Sequence, residues 1–297
     1  MFFSILLACS NPTSVTTDTA DKTMEAQPEL EAPENGVNTF EYDGLERRFR
    51  IHIPENLQQG ASLVVVMHGF TSSARVIEGY SGMNSVADEH GFVVVYPQGT
   101  KDDWGNNFFN VGYDFHDSNG VDDIGFVHAL IEHLQQSLNL SSRNVFSTGM
   151  SNGGDMSYML ACQSDVIRAI APVAGCMMKH IYDSCTPTRP IPVLEIHGTL
   201  DDVTLVDGDI DNQEGWGAYM PQSLNVRLEL LKLLVTGVWG HLCKIRSQKN
   251  IFDCTKRYST AQQCTIRCIN MSSGCDFLTT ILSVMFYLDF PSPFWSH

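Results

Sequence analysis

The segment NVFSTGMSNGG, residues 144–154, places a glycine-x-serine-x-glycine turn between a strand-like run and a helix-like run. Residues 144–147 resemble a strand, and residues 154–161 are compatible with a helix. A serine hydroxyl is a poor nucleophile unless a base activates it and main-chain donors receive the charge that develops on the substrate. A sharp strand-to-helix turn presents a hydroxyl in this way, and the helix directs its amide-rich N-terminus at the same point. The pattern predicts that Ser151 is the nucleophile of a serine hydrolase.

The bulk composition suits one large α/β domain followed by a segment of different composition. The chain has 297 residues, and 43% of them are hydrophobic, which is enough for a sizeable core. A formal net charge of −16 argues against binding to nucleic acid or to an anionic membrane surface. The charge is unevenly divided, because residues 1–220 hold 10 basic and 30 acidic side chains whereas residues 221–297 hold 8 and 4.

The N-terminal segment indicates export. Residues 1–9 form an apolar run that ends in Leu-Leu-Ala-Cys9 and is similar to a bacterial lipoprotein signal with its lipobox, although the usual basic start is missing. In such signals the cysteine is acylated, so Cys9 would anchor the chain to the membrane. Residues 10–38 are rich in Ser, Thr, Pro, Glu and Asp, which predicts a flexible linker. We expect a secreted protein or one that is lipid-anchored at the bacterial cell envelope. The alternative is that the N-terminus is a short hydrophobic segment without a targeting function.

Strand-like and helix-like segments alternate between residues 47 and 197. Strands are predicted over residues 47–54, 61–68, 92–96, 144–147, 169–173 and 191–196. Helices are predicted over residues 80–90, 121–138 and 154–161. The continuous apolar runs at 63–67 and 92–96 are typical of central parallel strands that are covered on both faces. The alternation predicts an α/β fold with a doubly wound, mostly parallel sheet and helices on both faces.

A second feature lies at the end of the predicted strand 61–68, where the chain continues as Met67-His68-Gly69-Phe70. In a hydrolase built on such a sheet, the corresponding loop supplies the second main-chain donor to the oxyanion. We therefore expect the backbone amides of Phe70 and Asn152 to form the oxyanion hole. The His68 side chain is expected to have a structural role at the end of the strand.

A third feature is the acidic segment His197-Gly198-Thr199-Leu200-Asp201-Asp202, which follows the predicted strand 191–196. A carboxylate here comes roughly 50 residues after the serine and agrees with the chain order serine, acid, histidine. Its role would be to orient the histidine and to stabilise its charged form. The spacing alone does not decide whether Asp201 or Asp202 is the acid. The acidic residues that follow predict a surface loop, with a calcium site as the weaker alternative; they are Asp207, Asp209, Asp211 and Glu214.

Five segments together resemble a known family and occur in the family's order. They are Val65–Gly69, Tyr96–Thr100, Val121–Phe126, Gly149–Gly154 and Pro190–Thr199. On these segments, residues 39–219 resemble the catalytic domain of extracellular esterases of the polyhydroxybutyrate depolymerase and feruloyl esterase group, within the α/β-hydrolase superfamily.

The resemblance implies an α/β-hydrolase-type sheet and the hydrolysis of carboxylic esters through an acyl-enzyme, with no metal or organic cofactor. It places the nucleophile on Ser151 and the acid on Asp201, four residues after the histidine of the His-Gly-Thr segment. The implied substrate is a polyester oligomer or a plant cell-wall ester, and feruloyl, acetylxylan and polyhydroxyalkanoate esters all remain open. Trp104, Phe108 and Phe109 lie in a long loop and either line an aromatic pocket or pack in the core.

The chain departs from the family over residues 220–297. The family closes its triad with a histidine in a Gly-Gly-Gly-His-x-Trp-Pro type segment, which this sequence lacks. Only His241 and His297 follow Asp201, and His241 is a weak candidate because it has the right neighbouring glycine. Charge reversal, cysteine enrichment and loss of the family pattern coincide near residue 220, which favours a frameshifted tail over a genuinely divergent one. The alternative function is therefore a catalytically impaired, hydrolase-like lipoprotein.

Cysteines in an exported chain usually form disulfides. By resemblance to the family, Cys162 and Cys185 are a pair, which leaves Cys176 over. The five cysteines of the tail have no familiar metal-ligand spacing; they are Cys243, Cys254, Cys264, Cys268 and Cys275.

Overall fold

The computed structural model describes residues 32–116, 120–189, 191–198 and 200–222, together with the backbone of residues 264–268. The predicted signal 1–9, most of the predicted linker 10–38 and most of the tail 220–297 lie outside these ranges. Cys9, His241 and His297 are therefore outside the described residues.

Ten strands, five α-helices and one 3-10 helix make up the described part of the chain. The strands are β1 (Gly36–Tyr42), β2 (Leu45–His52), β3 (Leu63–Met67), β4 (Val93–Pro97), β5 (Thr100–Lys101), β6 (Asn107–Phe108), β7 (Val145–Met150), β8 (Ile167–Val173), β9 (Leu194–Gly198) and β10 (Cys264–Cys268). The helices are α1 (Ala74–Ser81), α2 (Met83–His90), α3 (Asp123–Ser137), α4 (Asn152–Gln163) and α5 (Lys179–Ser184), and the 3-10 helix covers Asp114–His116.

Eight strands form one sheet in the order β1-β2-β4-β3-β7-β8-β9-β10. Parallel pairing joins β4, β3, β7, β8 and β9, whereas β1, β2 and β10 pair antiparallel at the two edges. The strands β5 and β6 form a separate hairpin. This arrangement confirms the predicted doubly wound, mostly parallel sheet.

The core has two layers, one on each face of the sheet. One face packs against α3 and α4, through residues that include Val65, Val95, Phe126, Leu130 and Met156. The other face packs against α1 and α2, through residues that include Val64, Val94, Ala74, Ile77 and Met83. Every residue of β3 and of β4 is buried, as their continuous apolar sequences predict.

The structure differs from the sequence-based expectations in two of the predicted segments. The predicted helix 80–90 is two helices, because Gly82 adopts a left-handed conformation (φ 62°) that ends α1 and starts α2. Strand β1 begins at Gly36, inside the segment 10–38 that was predicted as linker. Its residues alternate between exposed and half-buried positions, so it is a weakly apolar edge strand that composition alone does not reveal.

A disulfide joins the ends of two helices beside the sheet. Cys162 in the last turn of α4 is bonded to Cys185, directly after α5, with an S–S distance of 2.05 Å. This confirms the expected pairing. Cys176 is free as expected, and it is buried. Among the described residues, every helix is too short or too polar to cross a membrane.

The parallel strands bring their carboxyl ends to one edge of the sheet. The loops after β3, β4, β7 and β9 therefore meet at this edge, and these loops carry the candidate residues around Phe70, Ser151 and Asp201. A buried ion pair joins Arg47 on β2 to Asp123 on α3 at a distance of 2.5 Å. Asp123 also accepts a hydrogen bond from Asn110 N (2.7 Å), so the pair fixes the long loop that follows β4.

Candidate active site

Ser151 lies at the tip of a tight turn between β7 and α4. Its backbone has φ 52° and ψ −121°, a conformation that non-glycine residues rarely adopt. Its carbonyl oxygen accepts hydrogen bonds from Gly154 N (2.7 Å) and Asp155 N (3.0 Å), and its amide donates to Val173 O (2.9 Å). The main chain on both sides of the serine is therefore fixed, while the residue itself remains partly exposed. This is the strand-turn-helix geometry that the sequence predicted.

Two glycines of the turn are required by close packing against β3. A Cβ atom on Gly153 would lie 2.2 Å from Met67 O, and one on Gly149 would lie 2.5 Å from the carbonyl carbon of Gly153. Both distances are far below van der Waals contact with main-chain atoms that cannot move independently. The two glycines therefore allow the turn that carries Ser151 to approach the end of β3.

The loop after β3 lies directly against this turn. A Cβ atom on Gly69 would be 3.5 Å from Ser151 Cβ and 3.3 Å from Met150 O. Phe70 follows Gly69, and Asn152 follows Ser151, so the two amides predicted as oxyanion donors belong to segments in contact. Within the described ranges we find no hydrogen bond donated by either amide, which leaves both free to bind a ligand oxygen.

His68 is buried and bonded through both ring nitrogens. Its Nε2 accepts hydrogen bonds from Gly99 N (3.0 Å) and Gln98 Nε2 (3.1 Å), so Nδ1 carries the proton and donates to Gly69 O (2.7 Å). Burial lowers the pKa of His68 to about 4, and the ring is therefore neutral at physiological pH. It joins the loop after β3 to the loop after β4, which agrees with the expected structural role.

Asp201 lies in the loop that follows β9, with its carboxylate buried. Its Oδ1 accepts hydrogen bonds from Val203 N (3.0 Å) and Thr204 N (2.9 Å), and its Oδ2 is 3.3 Å from His197 Nε2. Asp202 is exposed, which favours Asp201 as the acid of the two. Val203 and Thr204 also line the cavity beside Ser151, so the acid loop and the serine border the same space.

A small cavity that is partly open to solvent lies beside Ser151. Among its walls, the sequence analysis assigned a catalytic role only to the serine. The cavity is lined by Tyr113, Ser151, Asp155, Cys176, Val203, Thr204, Trp216 and Tyr219. These residues come from five separate segments that meet only at the carboxyl edge of the sheet.

Asp155 lies one helical turn after Ser151 and is completely buried. Its carboxylate accepts hydrogen bonds from Tyr113 OH (2.5 Å) and Cys176 N (2.6 Å). Burial raises the pKa of Asp155 to about 7, because its two donors only partly offset the loss of hydration. The spacing of four residues from the serine on α4 was the one sequence signal that could have identified it.

Asn152 uses its side chain as well as its main chain. Its Oδ1 accepts from Phe109 N (2.7 Å), and its Nδ2 donates to Phe109 O (2.9 Å), with the side chain fully buried. The first turn of α4 therefore holds the loop after β4 at two points, at Phe109 through Asn152 and at Tyr113 through Asp155. Sequence reasoning had considered only the amide of Asn152.

Aromatic rings form a connected group over this edge of the sheet. The Phe70 ring centroid lies 5.9 Å from those of Phe115 and Trp216, and Tyr113 lies 5.4 Å from Trp216. Of the three aromatic residues that the sequence offered for a pocket, Phe108 and Phe109 are fully buried in the interior, which supports the core alternative for them. The third, Trp104, is 67% exposed.

The acidic loop after Asp201 is only partly a surface loop. Asp207, Asp211 and Glu214 are exposed as expected, but Asp209 is buried. The buried carboxylate of Asp209 accepts hydrogen bonds from Gln213 N (2.9 Å) and Glu214 N (2.8 Å). Within the described part of the chain, no group of three or more His, Cys, Asp and Glu side chains is arranged to hold a metal ion.

The sequence of the chain matches a known protein family and several characterised relatives. The sequence model of the family described as esterase PHB depolymerase matches residues 51–231. The chain is 28% identical over 168 residues to a bifunctional acetylxylan esterase/xylanase of Neocallimastix patriciarum, which covers 56% of this chain and 23% of that protein. It is 32% identical over 155 residues to feruloyl esterase B of Piromyces equi, covering 51% and 28% respectively.

A third relative is poly(3-hydroxyalkanoate) depolymerase C of Paucimonas lemoignei, which is 30% identical over 125 residues, covering 42% of this chain and 30% of the relative. The chain spans less than a third of the length of each of these three curated relatives. The matched part of the chain contains the turn at Ser151, the loop at Phe70 and the acid loop at Asp201.

Proposed function

The chain belongs to the esterase PHB depolymerase family, and from this premise we propose that it hydrolyses carboxylic esters through an acyl-enzyme on Ser151. The observation that carries the proposal is the backbone of Ser151, held at φ 52° between β7 and α4 at the border of a cavity. Such a turn exposes the hydroxyl at the carboxyl edge of the sheet, with the N-terminus of α4 directed at the same point.

In the proposed reaction, Ser151 Oγ attacks the ester carbonyl, and a histidine accepts the proton of the hydroxyl. The main-chain amides of Phe70 and Asn152 donate to the oxyanion of the tetrahedral intermediate. The histidine gives this proton to the leaving alcohol as the carbon–oxygen bond of the ester breaks. Water then attacks the acyl-enzyme, losing a proton to the histidine, and the acid is released as Ser151 takes that proton back. Asp201 orients the histidine and stabilises its charged form. The chemistry that this requires is supplied by protein groups, so we propose that no metal or organic cofactor takes part.

The candidates for this histidine, His241 and His297, lie outside the described residues. His241 is the first to test, because it follows a glycine as the family's catalytic histidine does, and His297 is the second. A His241→Ala variant that loses hydrolysis to the same extent as Ser151→Ala would assign the base to this residue. Retained hydrolysis would exclude it.

We propose that the substrate is an ester of a polyester oligomer or of the plant cell wall, and that the protein acts outside the cytoplasm. The names of the relatives support these acyl classes, and the disulfide between Cys162 and Cys185 supports an oxidising compartment. The lipobox-like run that ends at Cys9 supports a lipid anchor.

The test is hydrolysis of short-chain aryl esters, such as p-nitrophenyl acetate and p-nitrophenyl butyrate, by the full chain. Replacing Ser151 by Ala removes the nucleophile, so we expect kcat/KM to fall by about 10⁴-fold or more. The matched control is Ser85→Ala, an exposed serine on α2 that should leave the rate unchanged. Equal background rates for the wild type and Ser151→Ala would instead favour the catalytically impaired lipoprotein, for which the missing family histidine segment is the sequence evidence.

A further inference from the structure

His197 on β9 is a buried histidine in contact with the proposed acid. Only 3% of its surface is exposed, and its Nε2 lies 2.7 Å from Thr204 O and 3.3 Å from Asp201 Oδ2. The shorter distance identifies Thr204 O as the main acceptor of the Nε2 proton, with Asp201 as a second, longer acceptor. One imidazole N–H therefore holds both ends of the acid loop 201–204.

The two carboxylate oxygens of Asp201 have different surroundings. Oδ1 accepts hydrogen bonds from the amides of Val203 and Thr204, within its own loop. Oδ2 has one contact in the described structure, the 3.3 Å approach of His197 Nε2. A carboxylate oxygen accepts more than one hydrogen bond, so Oδ2 keeps the capacity to bind the catalytic histidine.

The opposite edge of the His197 ring faces further negative charge. Nδ1 lies 3.9 Å from Glu195 Oε1 on the same strand, and no hydrogen bond to Nδ1 is found within the described residues. The carboxylate of Asp155 on α4 also interacts electrostatically with the ring. Burial lowers the pKa of His197, but the hydrogen bonds to Asp201 and Thr204 and the charges of Asp201 and Glu195 outweigh this and raise it above its usual value.

The position of His197 does not fit the role of the base. The cavity that Ser151 borders is lined by Val203 and Thr204 but not by His197, which is a buried residue of β9. Its Nε2 proton is already donated within the acid loop. The ring therefore does not line the cavity that Ser151 borders.

We propose that His197 is a positioning residue, which fixes the carboxylate of Asp201 for the catalytic base by holding Asp201 and the Thr204 carbonyl through one N–H. This inference rests on the proposed function, in which Asp201 is the acid of the triad. In this role, His197 contacts neither the substrate nor the reacting atoms.

The first test compares His197→Ala with His197→Gln in ester hydrolysis by the full chain. Loss of the N–H lets the acid loop shift, so we expect His197→Ala to lower kcat by about 100-fold, with KM changed less than about threefold. Glutamine places an N–H close to the position of Nε2, so His197→Gln should recover kcat to within about tenfold of the wild type. The control is His90→Gln, an exposed histidine at the end of α2, which should leave both constants unchanged.

The second test needs no turnover and therefore separates this inference from the proposed function. The imidazoles of the full chain, labelled with ¹³C-histidine, are titrated by NMR in the wild type and in Asp201→Asn. We expect the pKa of His197 to fall by at least about half a unit when the carboxylate is removed.

The outcomes of the two tests are distinct. A wild type that hydrolyses no ester contradicts the proposed function, whereas a His197 pKa that still responds to Asp201→Asn supports the contact on which the positioning role depends. An unchanged His197 pKa in Asp201→Asn overturns the inference. So does a folded His197→Gln that is as slow as His197→Ala, or a His197→Ala that keeps the wild-type kcat.

Discussion

Asp155 is the residue at which the chemistry of the site and the stability of the fold are most closely linked. Its carboxylate is fully buried beside Ser151 and joins α4 to Tyr113 and to the loop at Cys176. The pKa of about 7 means that this group exchanges its proton close to neutral pH in the folded state. In the unfolded chain it would ionise near its ordinary pKa of about 3.8.

This difference predicts a pH-dependent contribution to stability with a defined sign. Between about pH 4 and pH 7 the folded chain keeps a proton that the unfolded chain has lost, so the free energy of unfolding falls as pH rises through this range. The upper limit of this loss is roughly 4 kcal/mol. In Asp155→Asn the loss should be absent, so the stability of the variant relative to the wild type should increase with pH in urea titrations.

The control for this prediction is Asp103→Asn, an exposed aspartate in the loop after β5. Its free energy of unfolding should differ from that of the wild type by a nearly constant amount over the same pH range. A constant difference for Asp155→Asn as well would show that its carboxyl does not bind its proton more tightly in the folded state.

At the residue scale the sequence identified the groups that stand in continuous motifs. Ser151, Asp201 and the amides of Phe70 and Asn152 were named from strand-end segments, and the structure places those segments at one edge of the sheet. Their catalytic roles stay predictions. The sequence missed Tyr113 and Trp216, because a cavity wall assembled from distant segments leaves no local pattern.

At the scale of elements, the turn between β7 and α4 depends on a glycine that touches β3. A Cβ on Gly153 would lie 2.2 Å from Met67 O, so Gly153→Ala must displace the turn from the end of β3. We expect a loss of roughly 3 kcal/mol or more in the free energy of unfolding, together with loss of ester hydrolysis. Urea denaturation followed by circular dichroism measures the first quantity.

The matched control is Gly79→Ala in α1. A Cβ on Gly79 meets nothing within 4 Å, and its backbone is helical, so alanine should stabilise the chain by up to about 1 kcal/mol. Similar effects of the two substitutions would show that the close contact at Gly153 does not limit the packing of the turn.

The prediction of elements succeeded where the apolar pattern was strong. Strands β3 and β4 are buried on both faces and have continuous apolar sequences, and α3 has helical periodicity with Asp122 as its N-cap. Edge strand β1 was missed because edge strands bury little and so lack a strong pattern. The break at Gly82 was missed because a glycine in a helical pattern gives no sign of its φ angle.

At the scale of the whole molecule, the disulfide between Cys162 and Cys185 should stabilise the domain measurably. The two residues are 23 positions apart, and a closed loop of that length removes about 3 kcal/mol of chain entropy from the unfolded state. The double variant Cys162→Ser/Cys185→Ser should lose a free energy of unfolding of this size. Urea unfolding under oxidising conditions compares it with the wild type.

Ser184→Ala is the control for that experiment, because this exposed serine precedes Cys185 at the same helix end. It should change the free energy of unfolding by less than about 1 kcal/mol. A double variant as stable as Ser184→Ala would mean that the bridge adds nothing to the stability of the fold.

The family match ends at residue 231, inside the segment 220–297 whose charge and cysteine content differ from the rest. Whether this segment arises from a frameshift stays a prediction, and resequencing the locus would test it. A reading frame that is clean and shared by close relatives would remove the hypothesis.

The sequence by itself determined the main alternation of strands and helices, the fold class and the turn that presents Ser151, because each is encoded by residues adjacent in the chain. The tertiary structure alone showed the cavity, the buried pair of Tyr113 and Asp155 and the contact of His197 with Asp201. These depend on which separate segments meet at the carboxyl edge of the sheet. Burial then sets the charge of each group, and burial exists only after the layers have packed.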